Sequence, residues 1–168
     1  MAGVKIYYAN ALGFYRDTDI VSSVHQNLTL EFKRASMELE GYNPFPNNIL
    51  DKKVIAETNR RKLDETDVVI AFLDYSGASI DDGIAWELGY FYGLKQHAAD
   101  GKKRLCIGLT DSIRTTDVGG SIYNLQVMEH LDGVFSIKTG GCDLSDFLIK
   151  KLTEKWFFKI LSILLAEI

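Results

Sequence analysis

Cysteine is scarce in this 168-residue chain: only Cys106 and Cys142 are present. Their separation matches no metal-ligand spacing, which predicts a reducing, cytoplasmic setting. Basic clusters are equally sparse. No Lys/Arg run exceeds the pairs Arg60-Arg61, Lys102-Lys103 and Lys150-Lys151, and the formal charge is −4. A surface for a nucleic acid polymer is therefore not expected, although a local anion site is compatible with this balance. Long apolar runs are missing too. The greasiest stretch, "WFFKILSILLAEI" at the C-terminus, is interrupted by Lys159 and falls short of the roughly 20 apolar residues of a membrane span. It reads as a core or subunit-interface helix. The opening Met-Ala-Gly-Val-Lys runs straight into strand-like sequence, so no signal peptide is expected. Neither a G-x-G-x-x-G nor a Walker loop occurs. The three histidines, His25, His97 and His130, show no pairing or ligand spacing and are assigned surface or capping roles. No metal and no cofactor is called for.

What remains is the composition of an ordinary globular protein, 46% hydrophobic and 25% charged. The length suits one domain over residues 1–168, burying roughly 70% of its unfolded surface. Four runs have the continuous β-branched and aromatic character of strands buried on both faces: "VKIYYA" (4–9), "DVVIAFL" (67–73), "RLCIGL" (104–109) and "GVFSI" (133–137). A weaker fifth, "GYNPF" (41–45), is broken by Pro44 and suits a sheet edge. Helical patterns lie between them, at about 19–40, 50–65, 82–97 and 143–167, with a short one near 121–131. This alternation predicts an α/β three-layer sandwich around a five-stranded, mainly parallel sheet. The flavodoxin-like order 2-1-3-4-5 fits best, and it places the ligand crevice at the carboxyl ends of strands 1 and 3.

The segment "DYSGASIDDG" (74–83) follows strand 3 and leads into "IAWELGYFYGL" (84–94). There a single carboxylate, Glu87, sits among Trp86, Leu88, Tyr90, Phe91, Tyr92 and Leu94. Its neighbours at i±3 and i±4 are Gly83, Ile84, Tyr90 and Phe91, none of them basic. A solvent-facing glutamate on an amphipathic helix is the bland explanation. A partly buried carboxylate tuned by its surroundings fits this setting better. Asp82 is a good N-cap, and Asp81 also favours the positive end of the helix dipole. Tyr7 and Tyr8 point to opposite faces of strand 1, so one of the two phenols is placed to reach Glu87. Both otherwise read as core aromatics.

Four segments, "KIYYANALGF", "NRRKLDETDVVIAFLD", "DDGIAWELGY" and "YNLQVMEHLDG", in that order, resemble the nucleoside 2-deoxyribosyltransferases, a group that includes 2-deoxynucleoside 5-monophosphate N-glycosidases. The D-x-G-x-x-x-E-L-G block is the most specific piece. The resemblance implies a flavodoxin-like fold and retaining chemistry at an anomeric carbon. Glu87 is then the nucleophile that attacks C1 of a 2-deoxyribosyl group, leaving a covalent glycosyl-enzyme until another base takes the sugar. Tyr7 matches the tyrosine that hydrogen-bonds the nucleophile. Asp81 matches the acid that holds sugar hydroxyls, with Asp82 a near alternative. Asn124 matches an asparagine that reaches a neighbouring subunit's site, which implies a homo-oligomer acting on deoxynucleosides and free nucleobases. Phe14 is placed to line the pocket or simply to pack the loop.

Two positions depart from the family pattern. Several members carry an aspartate, proposed to protonate the leaving base, where this chain has Asn59. An amide hydrogen-bonds a base but is no conventional acid, so Asn59 is a base-contact candidate. Where some relatives have A-G-P after strand 1, this chain reads Ala9-Asn10-Ala11, which puts Asn10 at the loop shaping the sugar 5-position. Three other functions compete. Hydrolysis of deoxynucleoside monophosphates needs a phosphate site, for which Ser76, Ser79 and Arg16 are available near the crevice. A receiver-type phosphoacceptor matches Asp74, Thr110 and Lys138 at the strand ends but lacks acids after strand 1 to bind Mg²⁺. A non-catalytic nucleotide-binding module draws on Asn59.

Overall fold

Four of the five strands lie where a continuous apolar run stands in the sequence, and each described helix where apolar residues recur at helical spacing. The computed structural model describes residues 3–10, 15–44, 51–73, 80–97, 99, 101–110, 127 and 129–136. In chain order the elements are β1 (Val4–Ala9), α1 (Tyr15–Arg34), β2 (Leu39–Tyr42), α2 (Lys52–Glu65), β3 (Val68–Phe72), α3 (Asp82–Gln96), β4 (Leu105–Thr110) and β5 (Gly133–Ser136). The five strands form one sheet in the order β2-β1-β3-β4-β5, and every adjacent pair is parallel. This is the flavodoxin-like order expected from the sequence.

Alternation along the strands divides the core in two. Ile6, Tyr8, Val68 and Ile70 pack on one face with Val21, Val24, Leu28 and Phe32 of α1. Tyr7, Ala9, Val69 and Ala71 pack on the other with Leu63 of α2 and Ile84, Leu88 and Phe91 of α3. Both faces are thus covered, which is why these strands read as unbroken apolar runs. Burying each such large side chain contributes about 1.5–3 kcal/mol.

Two boundaries differ from the sequence reading. Helix α1 spans Tyr15–Arg34, starting and stopping earlier than the 19–40 pattern. It ends because Ser36 takes a left-handed conformation, φ 58°. There Met37 N–H donates to the Phe32 carbonyl at 2.9 Å and Ser36 N–H to the Lys33 carbonyl at 3.0 Å. That is a Schellman closure with serine in the place usually held by glycine, so no glycine announces the stop. Strand β2 spans Leu39–Tyr42, two residues upstream of the expected 41–45. Among the described strands it pairs only with β1, the edge position anticipated from Pro44. The short helix near 121–131 and the C-terminal one at 143–167 fall largely or wholly outside the described residues. No described helix is long and apolar enough to cross a membrane.

Candidate active site

The buried stripe of α3 is Ile84, Glu87, Leu88 and Phe91, the i, i+3, i+4, i+7 spacing of an inward face. The carboxylate therefore occupies a core position, and only 8% of Glu87 is exposed. Helix α3 starts after β3, and β3 pairs with β1 in the register Tyr7↔Val69. This places the Tyr7 side chain beneath the helix, where its hydroxyl donates to Glu87 Oε1 at 2.5 Å. Tyr7 is fully buried. Desolvation, with the adjacent Glu87 adding to it, drives its pKa far above the ordinary phenol range, so it remains a donor. Burial also pushes the Glu87 carboxyl up, to about 7; the Tyr7 hydrogen bond pulls it down, while the charge of Asp81 pushes it up. Near neutral pH the group is divided between acid and carboxylate. Of the two phenols open to this role, Tyr7 takes it. Tyr8 faces α1, and its hydroxyl lies 3.0 Å from His25 Nδ1.

A second phenol, which the sequence reading did not single out, extends the arrangement. The Tyr7 ring packs against Tyr42 of β2, with centroids 5.4 Å apart and planes at 38°. The Tyr42 hydroxyl donates to Asn59 Oδ1 at 3.0 Å. Asn59 is buried on α2 at 8% exposure. Lys62 Nζ, one turn further along α2, lies 5.7 Å from the centre of the Tyr42 ring. Glu87, Tyr7, Tyr42 and Asn59 thus form one connected row drawn from α3, β1, β2 and α2. The signal for Tyr42 was the β1–β2 register, Tyr7↔Tyr42, which sequence spacing alone does not fix.

The remaining candidates lie around this row. Asp81, not Asp82, is the N-cap of α3: its Oδ1 accepts from the Gly83 and Ile84 amides at 2.8 and 3.3 Å. Asp82 is exposed in the first turn. Cap geometry requires free amides two and three residues downstream, and the D-D pair offered two ways to meet that. Asn10 is buried just past β1 and donates through Nδ2 to Asn43 Oδ1 at 3.1 Å. It has no hydrogen bond to the Glu87 row among the described residues. Phe14 and Asn124 lie outside the described residues, as do Ser76, Ser79, Asp74 and Lys138. Thr110 ends β4. Trp86, one of the residues expected to shelter Glu87, is instead 54% exposed on the outer side of α3. It stacks there on Tyr90 with ring centroids 5.3 Å apart. Of the histidines, His97 caps the end of α3, and His130 stacks on Tyr92. His25 is half-buried against Tyr8, a packing role rather than the expected surface one. Among the described residues no three His, Cys, Asp or Glu side chains gather to hold a metal ion.

A parallel 2-1-3-4-5 sheet with a buried carboxylate–phenol pair beside its switch point defines a flavodoxin-like fold with an acid at a core position. The sequence model described as nucleoside 2-deoxyribosyltransferase matches residues 6–146; the chain belongs to that family. Among solved structures it is similar to a 2-deoxyribosyltransferase from Leishmania mexicana, with 21% identity, a TM-score of 0.51, and 90% of this chain and 97% of that one covered. It is also similar to a CMP N-glycosidase from Clostridium botulinum, with 11% identity, a TM-score of 0.52, and coverages of 92% and 98%. A putative quinone reductase from Klebsiella pneumoniae shares the fold at 11% identity and a TM-score of 0.50, with coverages of 96% and 84%. At these identities the structural likenesses establish the fold. A search of curated protein sequences finds no match.

Proposed function

We propose that this protein is a nucleoside 2-deoxyribosyltransferase that moves a 2-deoxyribosyl group between nucleobases through a covalent intermediate on Glu87, with retention. The observation that carries the reading is the Tyr7–Glu87 hydrogen bond inside an otherwise apolar interface. The Tyr7 hydroxyl occupies Oε1 and fixes the carboxylate plane, while Oε2 has no partner among the described residues. Oε2 is the oxygen assigned to attack C1. The C1–N bond breaks as the C1–Oε2 bond forms, and its electron pair leaves on the base. A second base then attacks C1 from the opposite side and restores the carboxylate. A sheltered site favours this order of events, because water is the competing acceptor. Asp81 is assigned to the sugar hydroxyls, since only its Oδ1 is committed to the cap, with Asp82 the alternative. Asn59 is assigned to the base. On the resemblance, Asn10 and Phe14 line the sugar side, and Asn124 completes a neighbouring subunit's site in a cytoplasmic homo-oligomer. The chemistry needs no metal or cofactor.

The test is incubation with deoxyinosine and free adenine. Formation of deoxyadenosine, together with a deoxyribosyl adduct on Glu87 in intact-protein mass spectra, is the expected result, and Glu87→Ala abolishes both. Release of free deoxyribose from a deoxynucleoside monophosphate, with no exchange, assigns the site to hydrolysis instead. A Glu87→Ala variant as active as the parent refutes the nucleophile.

A further inference from the structure

We propose that Tyr42 is a positioning residue that locks the Asn59 amide with its NH₂ toward the base. The site then selects bases carrying a lone pair next to the glycosidic nitrogen, and it meets the departing base with a hydrogen bond rather than a proton. The inference rests on the transferase reading of the Glu87 site and names the recognition on its other side.

Asn59 has two faces, an acceptor oxygen and a donor NH₂. Unrestrained, the amide turns to suit either kind of base edge and selects neither. Here Oδ1 is taken by the Tyr42 hydroxyl at 3.0 Å, and Nδ2 has no partner among the described residues. Tyr42 is itself held, with Tyr7 packed against its ring at 5.4 Å and the Lys62 ammonium 5.7 Å from its centre. The Lys62 ammonium in turn pairs with Glu40 at 3.6 Å and Glu65 at 3.6 Å. The amide therefore presents a fixed donor on the same row that ends at the nucleophile. A donor in that place requires an acceptor: N3 or N7 of a purine, or the 2-oxo group of a pyrimidine.

The proton balance follows from the same group. When Glu87 Oε2 bonds to C1, the electron pair of the C1–N bond passes to the base nitrogen. The Asn59 NH₂ stabilises that charge without giving up its proton, and water protonates the base after departure. In the return half, the incoming base loses its proton to solvent, so the cycle closes with no enzyme group changed. Because Asn59 does not titrate, it adds no alkaline fall of its own to the rising limb set by Glu87.

Binding of free bases is measured by calorimetry on the whole protein, with adenine against 3-deazaadenine and 7-deazaadenine, and cytosine against 4-aminopyrimidine. Deoxynucleoside turnover is measured alongside. Losing one neutral hydrogen bond predicts that the parent discriminates roughly tenfold against one deaza analogue, or against the pyrimidine lacking its 2-oxo group. Tyr42→Phe should bind each analogue within about twofold of its natural base, with the loss appearing in KM selectivity. Circular dichroism and urea melts establish that it is folded. Asn59→Asp should add a falling alkaline limb to the turnover profile, which no purely structural role produces. Turnover with full discrimination retained in Tyr42→Phe overturns the positioning role. Discriminating base binding without any sugar transfer upholds it while overturning the transferase reading, and absence of both binding and turnover overturns the two together.

Discussion

Replacing Glu87 by Gln tests the central electrostatic claim without any substrate. The amide keeps an oxygen to accept the Tyr7 hydroxyl, fills the same volume and carries no charge. The carboxyl titrates at about 7 in the folded protein against an ordinary value of 4.5, so folding favours its protonated form. The sign follows directly. Below pH 4.5 the group is neutral whether folded or unfolded, and burial costs nothing. Between 4.5 and about 7 the unfolded chain gains from ionising while the folded one does not, so stability falls. Above about 7 the penalty is complete. At roughly 1.4 kcal/mol per pH unit, it amounts to about 3 kcal/mol. Glu87→Gln should therefore be more stable than the parent by about that much at pH 8, with the two converging near pH 4. Urea unfolding at pH 4, 6 and 8 measures the difference, with ΔG taken from the midpoint and slope. Parallel curves for the two proteins across this range would refute the reasoning, because they would mean the carboxylate ionises as freely in the fold as in water.

Four other substitutions, at three positions, probe neighbouring links. Tyr7→Phe removes the bond that holds the Glu87 carboxyl down. The rising limb of activity should move up by about 1–2 pH units, with turnover at neutral pH falling roughly 10- to 100-fold; a limb that stays near 7 sinks the assignment. Asp81→Asn keeps an N-cap acceptor but deletes a charge that raises Glu87, so the limb should shift to lower pH with little change in melting. Asp81→Ala should in addition lose about 1 kcal/mol of stability in urea melts. Gly41→Ala places a Cβ in steric overlap with His25 Cε1 and Nδ1 and 3.1 Å from Tyr8 Cε2. It should destabilise by about 1–3 kcal/mol through overpacking, and urea melts within 0.5 kcal/mol of the parent (roughly the spread of neutral surface changes) would contradict the packing.

How far the sequence carried the structure differs from element to element. The buried strands were legible because being covered on both faces leaves an unmistakable apolar run, and their alternation with helices left few topologies. Glu87 was legible as a carboxylate without a basic partner on an apolar helix, and its burial bears out that physical argument. Trp86 was not legible in the same way, since a helix apolar on nearly every side does not announce which face turns inward. The stop of α1 was hidden because serine, not glycine, takes the left-handed turn at Ser36. Tyr42 was invisible for a different reason: its place beside Tyr7 follows from the pairing of a four-residue edge strand, which no local pattern encodes.

The Tyr7–Tyr42 ring pair hangs on scaffolding of unequal firmness. Tyr7 lies on β1, which is flanked by strands on both sides, whereas Tyr42 lies on β2, at the rim with a single neighbour among the described strands. A brief detachment of that rim would unseat Tyr42 while the acid and its phenol stay put. On the proposed reading, substitutions that retune base choice therefore fall at the sheet edge, where the architecture has least to lose, and leave the Tyr7–Glu87 pair in place.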